Sequence, residues 1–223
     1  MATSSRKKDK REYFLSLIPS DVKKVLDVGC ADGGLCAGLT QKDVEVIGLE
    51  KDVDSCAKAR EKLDKVFLAD IEKFDLPYPK EYFDCIIYAD VLEHLFDPLA
   101  LLKKHIDYLR DGGYIVASIP NIRYYKAIIR LVIGGTWDYS DGGLLDKSHM
   151  RFFTLLNIKE LFSRAGYEIV GIERNLVAAR GFSLLNFLLF GMLKDFLTYQ
   201  YYIKARKLKG GPTTTAGRKK YKF

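Results

Sequence analysis

The chain is poor in the residues that usually declare a metal or redox protein. Its 223 residues include three histidines, one tryptophan and four cysteines. No two of Cys30, Cys36, Cys56 and Cys85 stand at a zinc-ligand spacing, and each lies in or beside an apolar stretch. This excludes a zinc-finger framework and predicts reduced, buried thiols in a cytosolic protein. Long apolar runs are missing too. The longest, Phe182–Leu193, ends at Lys194 and Asp195 and is too short for a membrane-spanning helix, which needs about 20 residues. That run suits a buried helix, a lid or an interfacial contact. Residues Met1 to Glu12 are polar and charged, unlike a signal peptide.

The net charge of +7 is unevenly placed. Residues 1–12 hold five Lys/Arg against two acids, and residues 204–223 hold eight Lys/Arg and no acid, so the ends carry +3 and +8 and the body −4. A protein that grips phosphates with its body should carry its positive charge there, so nucleic acid is disfavoured as a partner. The expected protein is cytoplasmic, with peripheral membrane contact left open. The ends read as solvated tails, and residues 209–223 as a basic, disordered one.

Between the tails, apolar runs of strand length alternate with stretches of helical period, which predicts an α/β fold built from βαβ units. Strands are expected at 25–28, 44–50, 66–69, 83–89 and 114–119, with helices over 35–39, 54–63 and 98–109. Residues 110–113 read as a turn. An irregular, aromatic-rich stretch covers 121–151, a helix runs from Thr154 towards Gly166, and strands at 167–173 and 199–204 close the chain. The sum is one domain over 1–208, with insertions near 121–153 and 178–198 forming a lid or acceptor wall. Its core is a Rossmann-like seven-stranded, mostly parallel sheet with helices on both faces and a closing antiparallel strand pair.

The first strand runs into Asp27-Val-Gly-Cys-Ala-Asp-Gly-Gly34. Small residues at 29, 31 and 33 let backbone approach a ligand closely, and the helix that follows offers unpaired N–H groups. Glu50 ends the next strand, where an acid commonly accepts hydrogen bonds from ribose hydroxyls. Asp70 and Asp90 follow the third and fourth strands, so all these residues lie at strand carboxyl ends, the ligand-binding edge of open α/β sheets. A nicotinamide-binding fingerprint requires Gly at 29, 31 and 34; position 31 is Ala, which weighs against a nicotinamide-dependent oxidoreductase.

The segments VLDVGCADG, VIGLEKD, LADIEKF, FDCIIYADVLEHLFDP and LRDGGYIVASIPN resemble successive motifs of class I S-adenosylmethionine-dependent methyltransferases. DVLEHL is similar to the branch containing the ubiquinone-pathway O-methyltransferases. LLDKSHMRFFTLLNIKELFSRAGYEIV resembles bacterial methyltransferases associated with surface polysaccharides. The resemblance implies S-adenosylmethionine as cofactor, leaving as S-adenosylhomocysteine. Asp27, Gly29, Cys30, Ala31, Asp32 and Gly33 would form the loop beneath its methionine moiety. Glu50 with Lys51 would bind the ribose, and Asp70 with Ile71 would lie near the adenine. Ala89 and Asp90 would complete the pocket. Ala31, where many relatives carry Gly, is the main departure.

A sulfonium is already an activated methyl donor, so the protein must orient the acceptor and, for a hydroxyl, remove its proton. His149, in the irregular segment, is the first candidate for general base, and His94 beside Glu93 the second. Arg151 is placed to pair with a phosphate or carboxylate on the acceptor, or with Asp146. His105 reads as structural or solvent-facing. An alternative is a divalent metal held by Asp90, Glu93, His94 and His149, resembling the acid-x-x-Glu-His site of small-RNA 2′-O-methyltransferases; here Asp90 stands in the first position. Among the aromatics Tyr124, Tyr125, Trp137, Tyr139, Phe152 and Phe153, Trp137 and Tyr139 are favoured as exposed in the cleft. The expected function is O-methylation of a small or lipid-linked acceptor, a saccharide before a quinone-type phenol. A non-catalytic S-adenosylmethionine-binding protein is the alternative of another class.

Overall fold

A computed structural model describes residues 10–40, 43–177 and 193–208. Seven strands form one sheet: β1 (Lys24–Val28), β2 (Glu45–Glu50), β3 (Lys65–Leu68), β4 (Phe83–Ala89), β5 (Leu109–Pro120), β6 (Tyr167–Leu176) and β7 (Thr198–Lys207). Their order is β3-β2-β1-β4-β5-β7-β6. All neighbours from β3 to β5 pair in parallel, and β7 runs antiparallel to both β5 and β6. The expected mostly parallel sheet with its closing strand pair is therefore present.

Side-chain alternation divides the core between the two faces. Leu26, Val28, Ile86 and Tyr88 join one apolar cluster, whereas Val25, Cys85 and Ile87 join another. The central strands are buried on both sides, as parallel sheets require, so they read as continuous apolar runs. All four cysteines are free and buried. The strand order reverses between β1 and β4, and at that switch point the carboxyl ends open a crevice.

Several boundaries differ from expectation. The helix after the Gly-rich turn is one four-residue turn, α2 (Ala37–Thr40), preceded by α1 (Lys10–Leu15). The next is α3 (Val53–Ala59), capped by Asp52, whose carboxylate accepts from Ser55 N–H at 2.8 Å. α4 (Pro98–His105) is shorter than expected because β5 already begins at Leu109. Arg110–Gly113 is no separate turn: it is an irregularity within the β4–β5 pairing, where Phe83 faces Leu109 and Cys85 faces Tyr114.

The stretch read as irregular contains α5 (Tyr125–Val132), a helix whose apolar period was masked by flanking aromatics and Gly pairs. α6 (Leu155–Arg164) begins at the Thr154 cap as expected, and α7 (Lys194–Leu197) precedes β7. β6 and β7 each run ten residues, longer than expected. α1 begins at Lys10, inside the stretch 1–12 read as a tail, and continues to Phe14, which is buried against the sheet. Residues 178–192 of the second expected insertion and the basic stretch 209–223 lie outside the described residues. Among the described residues no helix is long and apolar enough to cross a membrane.

Candidate active site

The turn after β1 is pinned to the end of β2. Gly29 and Cys30 N–H both donate to the Leu49 carbonyl, at 2.8 and 3.0 Å. Gly29 has φ +69°, and a Cβ there would lie 2.8 Å from Val91 Cγ2, so both conformation and space demand glycine. Ala31 also adopts a left-handed φ, 47°, without being glycine. Gly33 shares the left-handed φ, at +71°, and its Cβ would lie 3.1 Å from Ala59 Cα, so it also admits α3.

Glu50 clamps this turn. Its Oε2 accepts Ala31 N–H at 2.9 Å, and its Oε1 accepts the N–H groups of Lys51 and Asp52, each at 2.8 Å. Asp27 is buried, and its Oδ2 has no hydrogen-bond partner among the described residues. Burial pushes its carboxyl up to about 7; the Cys36 thiol opposes this and the Glu50 charge adds to it. A donor-seeking carboxylate beside a glycine turn fits a cofactor with a cationic amino group.

The outer members of the expected cofactor set face solvent. Asp32 pairs with Lys62 at 2.6 Å, and Asp70 pairs with Lys73 at 2.9 Å, which holds the Asp70 carboxyl below its usual range. Ile71 packs against the core. Asp32 also braces the turn itself, its Oδ1 accepting Gly34 N–H at 3.0 Å.

A cleft of about 390 Å³ opens next to this turn, within the range of small-molecule sites. Ala89, Asp90 and Glu93 form its floor, with Ser118 and Pro120 from the end of β5. The far wall is Gly143, Asp146 and His149, and β7 adds Tyr199, Gln200 and Tyr202. Arg11 and Phe14 of α1 close one side. Asp90 has φ 56° and is fixed by Ser118, whose Oγ accepts Asp90 N–H at 2.9 Å and donates to Oδ1 at 3.0 Å. Gln200 Nε2 donates to the same Oδ1. Burial still raises the Asp90 carboxyl above its usual range.

Sequence reasoning missed Ser118, Gln200 and the two α1 residues. Gln200 was legible as the one amide in the run Thr198-Tyr-Gln-Tyr-Tyr-Ile, two positions from Tyr202 and so on its face. The residues of α1 carried no such signal.

The 3₁₀ turn Leu92–His94 brings the strongest cluster to the cleft. Glu93 is 1% exposed, and neither carboxylate oxygen has a hydrogen-bond partner among the described residues. Burial, then the nearby Asp90 charge, push its carboxyl up to about 8. The Glu93 carbonyl accepts Met150 and Arg151 N–H, both at 2.9 Å, and so ties the distant loop to this turn. His94 Nδ1 lies 3.2 Å from the Ser148 carbonyl, and His149 Nδ1 lies 3.0 Å from the Leu144 carbonyl. A carbonyl only accepts, so each Nδ1 carries a proton, and in a neutral imidazole Nε2 then holds the lone pair. Burial lowers the His94 imidazolium below its ordinary value, favouring the free base.

One ligand atom from each of Glu93, His94 and His149 lies within 4.8 Å of the others. The four-residue metal alternative thus reduces to three, because Asp90 is engaged by Ser118 and Gln200. Arg151 leaves the cleft: its guanidinium donates to the Phe96 carbonyl at 2.5 Å and lies 5.6 Å from the Phe96 ring centre, while Asp146 accepts from Ser148. Trp137 packs edge-on against Phe152, with ring centres 5.3 Å apart, and neither it nor Tyr139 lines the cleft. His105 is fully buried and bonds Tyr88 Oη at 2.7 Å, a structural role.

A Gly-rich turn clamped by a strand-end Glu, at the switch point of a seven-stranded sheet closed by an antiparallel pair, defines the class I methyltransferase fold. The chain belongs to the methyltransferase-domain family, whose model matches residues 3–172. It is similar to the ubiquinone biosynthesis O-methyltransferases of Bradyrhizobium diazoefficiens, at 32% identity over 120 residues, and of Proteus mirabilis, at 31% over 121. These matches cover 51% and 52% of this chain, and 46% and 49% of the relatives, so the chain spans about half their length. Among solved structures, an S-adenosylmethionine-dependent methyltransferase from Archaeoglobus fulgidus shares the fold at TM-score 0.67 and 20% identity, covering 88% of this chain and 90% of that one. The [4+2]-cyclase SpnF also shares it, at TM-score 0.61 and 16% identity, covering 88% and 80%. S-adenosylmethionine is the cofactor that the family implies.

Proposed function

We propose that this protein is an S-adenosylmethionine-dependent O-methyltransferase whose acceptor hydroxyl is deprotonated at the Glu93–His94–His149 cluster, with His149 as the base. The observation that carries this reading is the pair of imidazoles with Nδ1 committed to backbone carbonyls, set beside a buried carboxyl that has no hydrogen-bond partner among the described residues. Glu93 and His149 line the cleft, and the Glu93 carboxyl, pushed up to about 8, can exchange a proton near neutrality. The cofactor would supply an activated methyl group. The Asp27–Glu50 turn would hold it, with Ala89 and Asp90 at its edge, and Lys51 and Cys30 contributing backbone there.

The acceptor class we favour is a saccharide, small or lipid-linked. The cleft lining is rich in polar groups, among them Asp146, Ser118 and Gln200, and includes Tyr199 and Tyr202, a composition suited to an acceptor with several hydroxyls. A second reading is a quinone-type phenol with a divalent cation on Glu93, His94 and His149. It is supported by the 4.8 Å grouping of their ligand atoms and by the names of the curated relatives. Two imidazoles with one carboxylate suit zinc or manganese better than magnesium.

The test is S-adenosylhomocysteine release by the full chain, offered glycans and catechol-type phenols in parallel, before and after chelation. Turnover of a glycan that survives chelation supports the first reading. Turnover of a phenol alone, lost on chelation and restored by manganese or zinc, replaces it with the second. Cofactor binding with no turnover of any acceptor in cell extract overturns both.

A further inference from the structure

Helix α5 presents an apolar face that no described part of the chain covers. Of its residues only Ala127 is buried, while Val132 and the adjoining Ile133 are 72% and 79% exposed. Ile129, Val132 and Ile133 stand at i, i+3 and i+4 and so form one stripe. Lys126 and Arg130, also four apart, edge that stripe; α5 contains no acid, and neither cation forms an ion pair among the described residues. An aliphatic stripe bordered by cations is the pattern of an interfacial helix lying on anionic lipid. A second electrostatic signal is available in sequence, because residues 209–223 hold five Lys/Arg and no acid.

We propose that α5 docks this protein on an anionic lipid bilayer. Ile129, Val132 and Ile133 enter the boundary between headgroups and acyl chains, and Lys126 and Arg130 meet lipid phosphates. The placement suits a working enzyme. The recess beside α5, lined by Lys126, Arg130 and Ser140, shares Tyr199 with the main cleft, so the docked face lies next to the acceptor side. The inference rests on the helix and the charge beside it, and holds whichever acceptor is used.

The experiment is flotation of the full chain with vesicles of phosphatidylcholine, alone or mixed with phosphatidylglycerol. Wild type is expected to float with the mixed vesicles and not with the neutral ones. The double variant Val132→Ser/Ile133→Ser should lose about tenfold or more in vesicle affinity while binding S-adenosylmethionine like wild type. Lys126→Glu/Arg130→Glu, which spares the stripe, should weaken binding to the mixed vesicles and serves alone if the first variant does not fold. Absence of vesicle binding, or binding untouched by both variants, overturns the proposal. So does a wild-type dimer that Val132→Ser/Ile133→Ser converts to monomer without any vesicle binding, which would make the stripe an interface between copies.

Discussion

His94 and His149 meet edge to face, their ring centres 4.7 Å apart, although one belongs to the turn after β4 and the other to the loop before α6. Each ring is held by a carbonyl from that same loop, Ser148 for His94 and Leu144 for His149. The Glu93 carbonyl adds two more bonds across the join. The far wall and the floor of the cleft are thus positioned as one unit, with Glu93 buried between them.

If His149 is the base, His149→Ala should lower turnover by about 10²–10⁴ while leaving the S-adenosylmethionine dissociation constant near wild type. Single-turnover assays with calorimetric cofactor titration separate the two effects. Full activity in the variant would remove His149 from the chemistry.

Whatever Glu50 offers a ribose, its carboxylate already satisfies three backbone N–H groups. Glu50→Ala should weaken cofactor affinity by one to two orders of magnitude, since each bond to a charged acceptor contributes about 1.5–3 kcal/mol. It should also lower the melting temperature without cofactor. Glu50→Gln should share part of both defects, because one of its termini would turn a donor towards an N–H. Unchanged cofactor binding in both variants would take Glu50 out of the site.

The sheet was legible because its strands are short apolar runs bounded by turns, and the clamped Gly-rich turn because Asp27, Gly29 and Glu50 sit at strand ends. What escaped depended on tertiary contact. Arg151 looked like an acceptor ligand until the Phe96 carbonyl and ring claimed it. Asp90 read as a cofactor residue and, in the alternative, a metal ligand, but its partner Gln200 arrives from a strand far along the chain. Trp137 seemed a cleft aromatic, and only the fold shows it packed on Phe152. α1 was hidden by its charge, since Phe14 alone supplies a deeply buried side chain within it.

Ala31 supplies a test of strain. A non-glycine residue in the left-handed region costs about 1–2 kcal/mol, whereas glycine costs about 0.4–1 kcal/mol through the unfolded chain. Ala31→Gly should therefore stabilise the protein by roughly 0.5–1 kcal/mol, read as a rise in denaturation midpoint at constant slope. A loss of stability would mean that the Ala31 methyl makes packing contacts worth more than its strain.

Asp27 sets a pH dependence whose sign is fixed by its raised value. Its carboxyl titrates near about 7 in the fold and near 3.8 when free, so between those values the folded state holds a proton that the unfolded state has released. Folding is favoured by this group below the lower value, and that advantage is lost as pH rises through the upper one. The ligand-free wild type should thus lose stability on going from about pH 5 to about pH 8, by roughly 2–3 kcal/mol from this residue. Asp27→Asn cannot ionise and should lack that component, so the stability difference between variant and wild type must move in the variant's favour over the same window. Guanidinium unfolding at the two pH values measures it directly. Parallel pH slopes would show that Asp27 is ionised throughout, with a donor reaching its Oδ2 even before cofactor binds.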